Sequence, residues 1–396
     1  MQRPLLIIFL TILVNLVGFG LIIPLLPFYA TTLGASAFTI GLLFASYSIA
    51  QLFAAPVLGG LSDRYGRRPI LLFSLAGTVV SFVMLALAHS VGVLFAARIV
   101  DGLSGGNIST ARAYIGDITA PENRARAYGL IGAAFGLGFI FGPAMGGALS
   151  RISLAAPAWA AAAMATVAMA FAWMWLPESV HRVSAGRASA WREMWGMLTR
   201  PAIGRLLLVD YLYWSTFAVY QTTFALFGAR RFGFTAAQTG YALAFVGSIG
   251  VIVQLTLVGP VVRRFGERRT LTGGLLVAGI GLGIISLTHR VNPFLAILIP
   301  TAIGIGLSVT SLTSLLSQTA GPHEHGRVQG VSGALEGLAR TVGPIWGNGT
   351  LQLFGEGTAY ASAAFVMVTT AALAARVARR VEQNDAGGDP DGGGLP

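Results

Sequence analysis

The amino-acid sequence predicts an all-α membrane protein with 12 transmembrane helices in two pseudo-symmetric six-helix halves. The first observation behind this is composition. Of 396 residues, 55% are hydrophobic and only 10% charged, against about 25% charged in a soluble domain, so the chain lacks the charge to coat a water-facing surface. The second is length. Apolar stretches near 20 residues recur from end to end, each able to cross roughly 30 Å of hydrocarbon as a helix. The 52 glycines suit close packing of membrane helices, and the alternating segments of about ten residues that mark a β-barrel are missing. The third is an internal repeat. GGLSDRYGRRP at 59–69 aligns with GPVVRRFGERR at 259–269, an offset of 200 at which Gly59/Gly259, Arg64/Arg264, Gly66/Gly266 and Arg68/Arg268 coincide. Gly142-Pro143 and Gly343-Pro344 agree at an offset of 201. Two independent pairs at nearly one offset imply two halves in the same orientation, the build of rocker-type secondary transporters with substrate near the midplane.

The first half occupies 1–177, with spans near 5–27, 38–60, 70–88, 92–114, 126–150 and 155–176. The stretch 5–27 is too long for the apolar core of a secretory signal and carries Asn15, Pro24 and Pro27 before running into another span, so it reads as the first transmembrane helix. Residues 178–202 form a linker holding His181, Arg182, Arg187, Arg192, Glu193 and Arg200, with an amphipathic helix expected around Trp191 and Trp195. The second half, 203–382, has spans near 203–228, 238–262, 270–288, 293–318, 327–352 and 357–380. The tail 383–396 is rich in Gly, Pro and Asp and is expected to be disordered.

The net charge of +11 invites a nucleic-acid partner, but the distribution argues against one. Every basic residue is arginine, and the arginines cluster at helix ends rather than along one face. Loops on one side hold Arg64, Arg67, Arg68, Arg124, Arg126, the linker set, Arg263, Arg264, Arg268, Arg269 and Arg327, while those on the other hold only Arg151, Arg230, Arg231 and Arg290. The positive-inside rule places both termini and the linker on the cytoplasmic side of a cell inner membrane or plasma membrane. With no cysteine there are no disulfides or thiolate ligands, and His89, His181, His289, His323 and His325 lack zinc spacing. No metal or other cofactor is expected, and the absence of a catalytic dyad or nucleotide loop sets aside an enzyme.

Four groups of residues carry the functional reading. In the loop after the second span, Gly59 and Gly66 permit tight turns while Asp63 can cap a helix and pair with Arg64, Arg67 or Arg68 of its own loop. In the fifth span, Gly138, Gly142, Gly146 and Gly147 form a bare face on a helix kinked by Pro143, a spacing also found in ordinary glycine-mediated packing. The intramembrane charges Arg98, Arg112, Asp117 and Arg340 form a candidate buried network, because a charge in hydrocarbon needs a partner. Asp101 follows Arg98 by three residues and Glu336 precedes Arg340 by four, both pairing distances on a helix. Each carboxyl reads either as a proton carrier or as a fixed counter-ion, and Asp210 in span 7 is a third candidate. Asn15, Tyr47, Gln51, Asn107, Tyr213, Trp214, Tyr220, Gln221 and Gln254 are candidate cavity residues, their aromatic and amide groups suiting lipophilic or amphipathic compounds.

GGLSDRYGRRP resembles the signature loop of the major facilitator superfamily, and Gly138 to Gly147 resembles the antiporter signature of its drug/proton branch. The resemblance covers all spans, and in the first five (VNLVGFGLIIPLLP, RIVDGLSGG, AYIGDIT, FGPAMGG) it is to tetracycline/proton antiporters. It implies that Asp63, Arg64 and Arg67 latch the two halves on the cytoplasmic side and that Arg98 is the buried arginine of span 4. Arg263 stands in the second-half loop where the first has Asp63, which implies a degenerate latch there. Asn15 and Ser81 stand where those pumps carry acids, which speaks against tetracycline itself as cargo. The expectation is a monomeric, proton-coupled exporter whose partners are a small molecule, protons and the bilayer. A proton-coupled importer or exchanger of an organic anion or other nutrient, held by Arg98, Arg112 or Arg340, is the alternative.

Overall fold

The computed structural model describes residues 3–179, 196–320 and 324–386, and the regular elements among them are all helical. The first seven helices are α1 (Arg3–Thr32), α2 (Ala37–Tyr65), α3 (Arg67–Ala86), α4 (Val91–Leu103), α5 (Asn107–Ile118), α6 (Arg124–Leu149) and α7 (Ala156–Trp175). The second seven are α8 (Pro201–Phe232), α9 (Ala236–Ile252), α10 (Val258–Phe265), α11 (Glu267–Leu287), α12 (Val291–Thr319), α13 (His325–Phe354) and α14 (Glu356–Ala386). Starts are marked by side-chain caps: Ser36 and Ser90 accept from backbone N–H groups three residues on, and Thr235 with Gln238 forms a capping box. The repeat survives as geometry. The junctions α2–α3 and α10–α11 each turn on one residue, Gly66 at φ 108° and Gly266 at φ 76°, a region that side chains disfavour.

Two expected spans are interrupted. Span 4 breaks over Ser104–Gly106, dividing α4 from α5. Ser104 Oγ bonds back to the carbonyls of Val100 and Asp101 at 2.7 and 3.2 Å, and the following Gly105-Gly106 has little helical propensity. Gln51 Nε2 donates to the freed Gly105 carbonyl at 3.1 Å, so the break is satisfied rather than exposed. Span 8 contains a π-helical segment, Val253–Leu257, between α9 and α10. Helix α14 runs through Ala386, so the first residues of the expected disordered tail are helical. The amphipathic helix expected around Trp191 and Trp195 lies outside the described residues, as do His181, Arg182, Arg187, Arg192, Glu193, His323 and the chain beyond 386.

Among the described residues, ten segments are long and apolar enough to cross a membrane. Helices α8 and α13 are equally long but more polar, because α8 carries Arg205 and Asp210 and α13 carries Arg327, Glu336 and Arg340. They pack on each other, which shelters those charges from lipid. Around them, α1 packs on α6 and α7, α3 on α4 and α7, and α11 on α12 and α14. The first and second groups of helices meet chiefly where α2 packs on α13 and α6 on α9.

That seam is tight at one end only. We call the face where α1 begins proximal and the opposite face distal. On α6, a Cβ on Gly147 would lie 2.8 Å from the Ala237 carbonyl of α9, and Gly247 of α9 is pressed against the Phe139 carbonyl of α6, whereas Gly129 and Gly132 near the proximal end of α6 face open space. On α13, a Cβ on Gly349 would lie 3.5 Å from the Phe38 ring of α2, while Gly326, Gly330 and Gly333 face open space. At the distal end Gly41 sits against the Pro344 carbonyl, and Phe38 N donates to Gln352 Oε1 at 2.8 Å. The molecule is therefore a cleft closed distally and open proximally, with Leu52 against Gly337 near its apex, where a Cβ on that glycine would lie 3.2 Å from the leucine.

Overpacking the distal seam is expected to open it, since an added side chain without room costs about 1–3 kcal/mol. In Gly147→Leu, a reporter Ala244→Cys, between Gly240 and Gly247 on the face of α9 that meets α6 in this cysteine-free chain, should react roughly tenfold faster with a water-soluble maleimide added distally. Unchanged labelling would refute the seam.

Candidate functional site

The break in span 4 exposes the end of α4 to the cleft, and there Arg98 and Asp101 lie within the membrane. Arg98 is 2% exposed and Asp101 8%, and their side chains pair at 3.0 Å. The Arg98 guanidinium also stands 4.3 Å from the centroid of the Tyr47 ring of α2, a cation–π contact that counts for more once desolvated. Gln51 Nε2 donates to Tyr47 Oη at 3.0 Å, one turn along α2, and so ties that ring to the span 4 break. Phe19 of α1 packs beside Tyr47. Arg98 Nε has no hydrogen-bond partner among the described residues.

Across the cleft, α8 and α13 present a second set. Arg340 pairs with Glu336 one turn earlier, and its guanidinium stands 5.6 Å from the Trp214 ring centroid. The Trp214 indole lies beside Asp210, and Ser332 Oγ donates to the Asp210 carboxylate at 2.7 Å. Asp210 is 3% exposed and has no arginine within pairing distance among the described residues. Tyr47 of the first set and Arg340 of the second lie within electrostatic range of one another across the cleft. One strip thus crosses it: Asp101–Arg98–Tyr47–Arg340, continuing to Glu336 on one branch and through Trp214 to Asp210 on the other.

Other expected residues are placed differently. Arg112 is exposed rather than part of a buried network, because the break turns α5 toward the open end of the cleft. Asp117 is also exposed and belongs to the proximal loop. Tyr213 and Tyr220 are packing residues rather than cavity surface. They are 1% and 3% exposed, and they stack with Phe217, Phe224 and Tyr360 along α8 and α14. Asn15 and Gln221 are half-buried, and Gln254 is exposed in the π-helical segment with Thr310 3.4 Å away. The side chain of Asn107 lies outside the described residues, although its backbone opens α5. Ser81 is fully buried. Gly138, Gly142 and Gly146 on the Pro143-bearing α6 receive the backbone of α1, whereas Gly147 receives that of α9.

The proximal loop forms its own cluster. Arg67 bridges Asp63 (2.5 Å) and Asp117 (3.1 Å), and Ser62 Oγ accepts from it at 2.6 Å. Glu178 accepts from the backbone N–H groups of Arg67 and Arg68 at 2.8 and 3.2 Å, a carboxylate on the positive end of α3. Glu178 also fills the space that a Cβ on Gly66 would need, and Arg68 donates to the Trp173 carbonyl. Arg64 is exposed and lies over Tyr65, while Gly59 lies on the last turns of α2. In the second group, Arg200 pairs with Glu324 at 2.7 Å and Ser314 donates to Glu267.

Comparison with known proteins agrees with this architecture. The family model described as Major Facilitator Superfamily matches residues 8–344 and 249–391. The chain belongs to the major facilitator superfamily. It is a multi-pass membrane protein, and the members of this superfamily it resembles are transporters rather than enzymes. The chain is 34% identical over 354 residues to the class C tetracycline resistance protein of Escherichia coli, covering 87% of this chain and 88% of that one. It is 29% identical over 357 residues to multidrug resistance protein 2 of Bacillus subtilis, covering 87% and 88%. Among solved structures, the human organic anion transporter MFSD10 (TETRAN) superposes with a TM-score of 0.71 at 24% identity, covering 94% of this chain and 99% of that one.

Ser332, Glu178 and Asn348 were not singled out from sequence. Asn348 is wholly buried at the α2–α13 contact, donating to Thr222 Oγ1 and the Pro344 carbonyl. A lone Asn on a membrane helix was a usable signal for it. Ser332 and Glu178 had none, because their roles depend on partners more than 100 residues away.

Two outcomes follow for the proximal side. Glu178→Ala should destabilise by about 1 kcal/mol, as loss of a helix cap does, read as thermal unfolding in detergent; Glu178→Gln should recover part of it. For the exposed pair, the hydrogen bond from Arg200 lowers the Glu324 pKa below its ordinary value of 4.5. A depressed carboxyl pKa stabilises above the unfolded value and loses that contribution as pH falls through the folded value. Wild type should therefore lose its advantage over Arg200→Gln only below about pH 4.5, and an advantage that is flat down to pH 3 would contradict the pairing.

Proposed function

We propose that the chain is a proton-coupled secondary transporter of a bacterial inner membrane, with both termini cytoplasmic, exporting small lipophilic or amphipathic compounds by alternating access. On this reading the proximal face is cytoplasmic, and the cleft described above is the state that loads cargo from inside the cell. Twelve spans, with α8 and α13 counted among them, form the two halves that rock about the apex near Leu52 and Gly337. The arginine asymmetry between loops supports the orientation, and the tetracycline and multidrug resistance proteins among its relatives support the cargo class.

The observation that carries the proton assignment is a mismatch of charge. The strip holds two guanidinium groups, Arg98 and Arg340, against three carboxylates, Asp101, Glu336 and Asp210. Asp101 and Glu336 each have their own arginine, so Asp210 is the carboxyl without a cation, held only by neutral donors. An isolated carboxylate in a low-dielectric cleft is the group that gains most from binding a proton. Protonation of Asp210 makes the strip neutral, and a cationic or dipolar cargo does the same by direct attraction, so the two compete for one site. Asp101 and Glu336 act on this reading as counter-ions that keep both arginines in place.

The test separates coupling from structure. In everted membrane vesicles, Asp210→Asn should abolish proton-gradient-driven accumulation of ethidium and tetraphenylphosphonium, while melting temperature stays equal or rises. Asp101→Asn should lower stability by about 3 kcal/mol, because it leaves Arg98 buried without its carboxylate. Full gradient-driven accumulation by Asp210→Asn would overturn the proton assignment. One observation favours the alternative of anion import or exchange: the Arg340 side chain is 36% exposed to the cleft. Counterflow in proteoliposomes under gradients of each sign distinguishes the two by direction and by the charge of the accepted probe.

A further inference from the structure

The distal face carries a second cavity, separate from the charged strip. The distal ends of α1, α2, α6, α8 and α9 enclose about 850 Å³, within the range of about 300–1,000 Å³ typical of small-molecule sites. Its walls are apolar at Phe28, Leu154 and Leu226, and its rim carries Arg151, just past α6, and Arg230, near the end of α8. Both arginines are exposed, and neither has an ion pair among the described residues; Arg151 has only the Tyr241 ring, 5.4 Å away. The distal loops hold one acid, Glu356, and it faces Arg231 at 3.7 Å, beside His289. The cavity is thus a concave apolar pocket with two cations and no carboxylate, a shape that focuses positive potential.

We propose that this vestibule binds an amphipathic anion, an aromatic or short alkyl body carrying a carboxylate, sulfonate or phosphate. The planar guanidinium groups suit such oxyanions, and the apolar walls accept the body. Because Phe28 and Arg151 belong to the first group of helices and Leu226 and Arg230 to the second, an occupant spans the distal seam. It binds the distally closed state better than an open one, and by that difference it holds the transporter closed on this side. The anion comes either from solution or from the phosphate of a lipid headgroup at the same depth.

The experiment uses full-length protein in nanodiscs, with Thr31→Cys at the cavity wall as reporter in the cysteine-free chain. In phosphatidylcholine discs, naphthalene-2-sulfonate should protect this cysteine from maleimide, and 2-naphthylmethylamine should not. Arg151→Gln with Arg230→Gln should weaken the protection by roughly tenfold or more, the usual loss with charge-assisted hydrogen bonds. If phosphatidylglycerol discs protect the cysteine without added sulfonate, and the arginine substitutions remove that too, the natural occupant is a headgroup phosphate. If they do not, it is a soluble anion. Equal protection by amine and sulfonate, or protection unchanged by the substitutions, would overturn the proposal. None of these outcomes depends on which carboxyl carries protons.

Discussion

Two arginines inside the hydrocarbon region, Arg98 and Arg340, constrain the rest of the structure. A guanidinium there is tolerated only with a carboxylate and further polarisable contacts around it. Each has the same solution: an acid on its own helix, Asp101 or Glu336, and an aromatic face from a neighbour, Tyr47 or Trp214. The helices that bear or buttress them must then be kept from lipid, which explains why α8 and α13 pair with each other and fall short of the hydropathy of the other spans. The same requirement places the break in span 4. Helix α4 ends just after Asp101, and Gln51 holds both the broken backbone and the ring that covers Arg98.

Glycines decide how the rest moves around that strip. Without a hydrophobic force between helices in lipid, association depends on close backbone approach, and the contacts of Gly142 with Gly20, of Gly147 with Gly240 and of Gly41 with Pro344 supply it distally. The proximal glycines of α6 and α13 have nothing to touch in this state. Bare faces on both sides of the apex allow the halves to close at one end while opening at the other. The strip sits near the apex, where rocking displaces it least, so its ion pairs need not break for the cleft to change sides.

Much of this was legible in the sequence. The 200-residue offset reappears as two glycine junctions in the same strained conformation, and the Arg98–Asp101 and Glu336–Arg340 spacings reappear as ion pairs. Local spacing captures contacts within a helix. Contacts between distant helices have no such signature. Asp210 was only a third candidate from the sequence, yet what distinguishes it is Ser332 from another helix and the lack of a nearby arginine among the described residues. Tyr213 and Tyr220 failed as cavity residues for the converse reason: composition shows that an aromatic is present but not which face of α8 it occupies. Arg112 was misplaced because the span 4 break rotates everything after Ser104. Gly105-Gly106 signalled that break, but an apolar window of full length concealed it.

The electrostatics run in opposite senses at the two cavities. Among the described residues, the strip near the apex has one carboxylate more than it has guanidinium groups, whereas the distal vestibule has two arginines without an ion pair and no acid in its lining. A cation that crosses from the first to the second moves from attraction to repulsion, so the vestibule is a positive barrier that it meets both on leaving and on approaching from the distal side. An anion in the vestibule would cancel that repulsion while bracing the seam. It would remove the barrier to re-entry only by closing the route. A fixed potential raises the same barrier for a cation leaving as for one returning, so the vestibule arginines act on the rate of passage at the distal side and not on its direction.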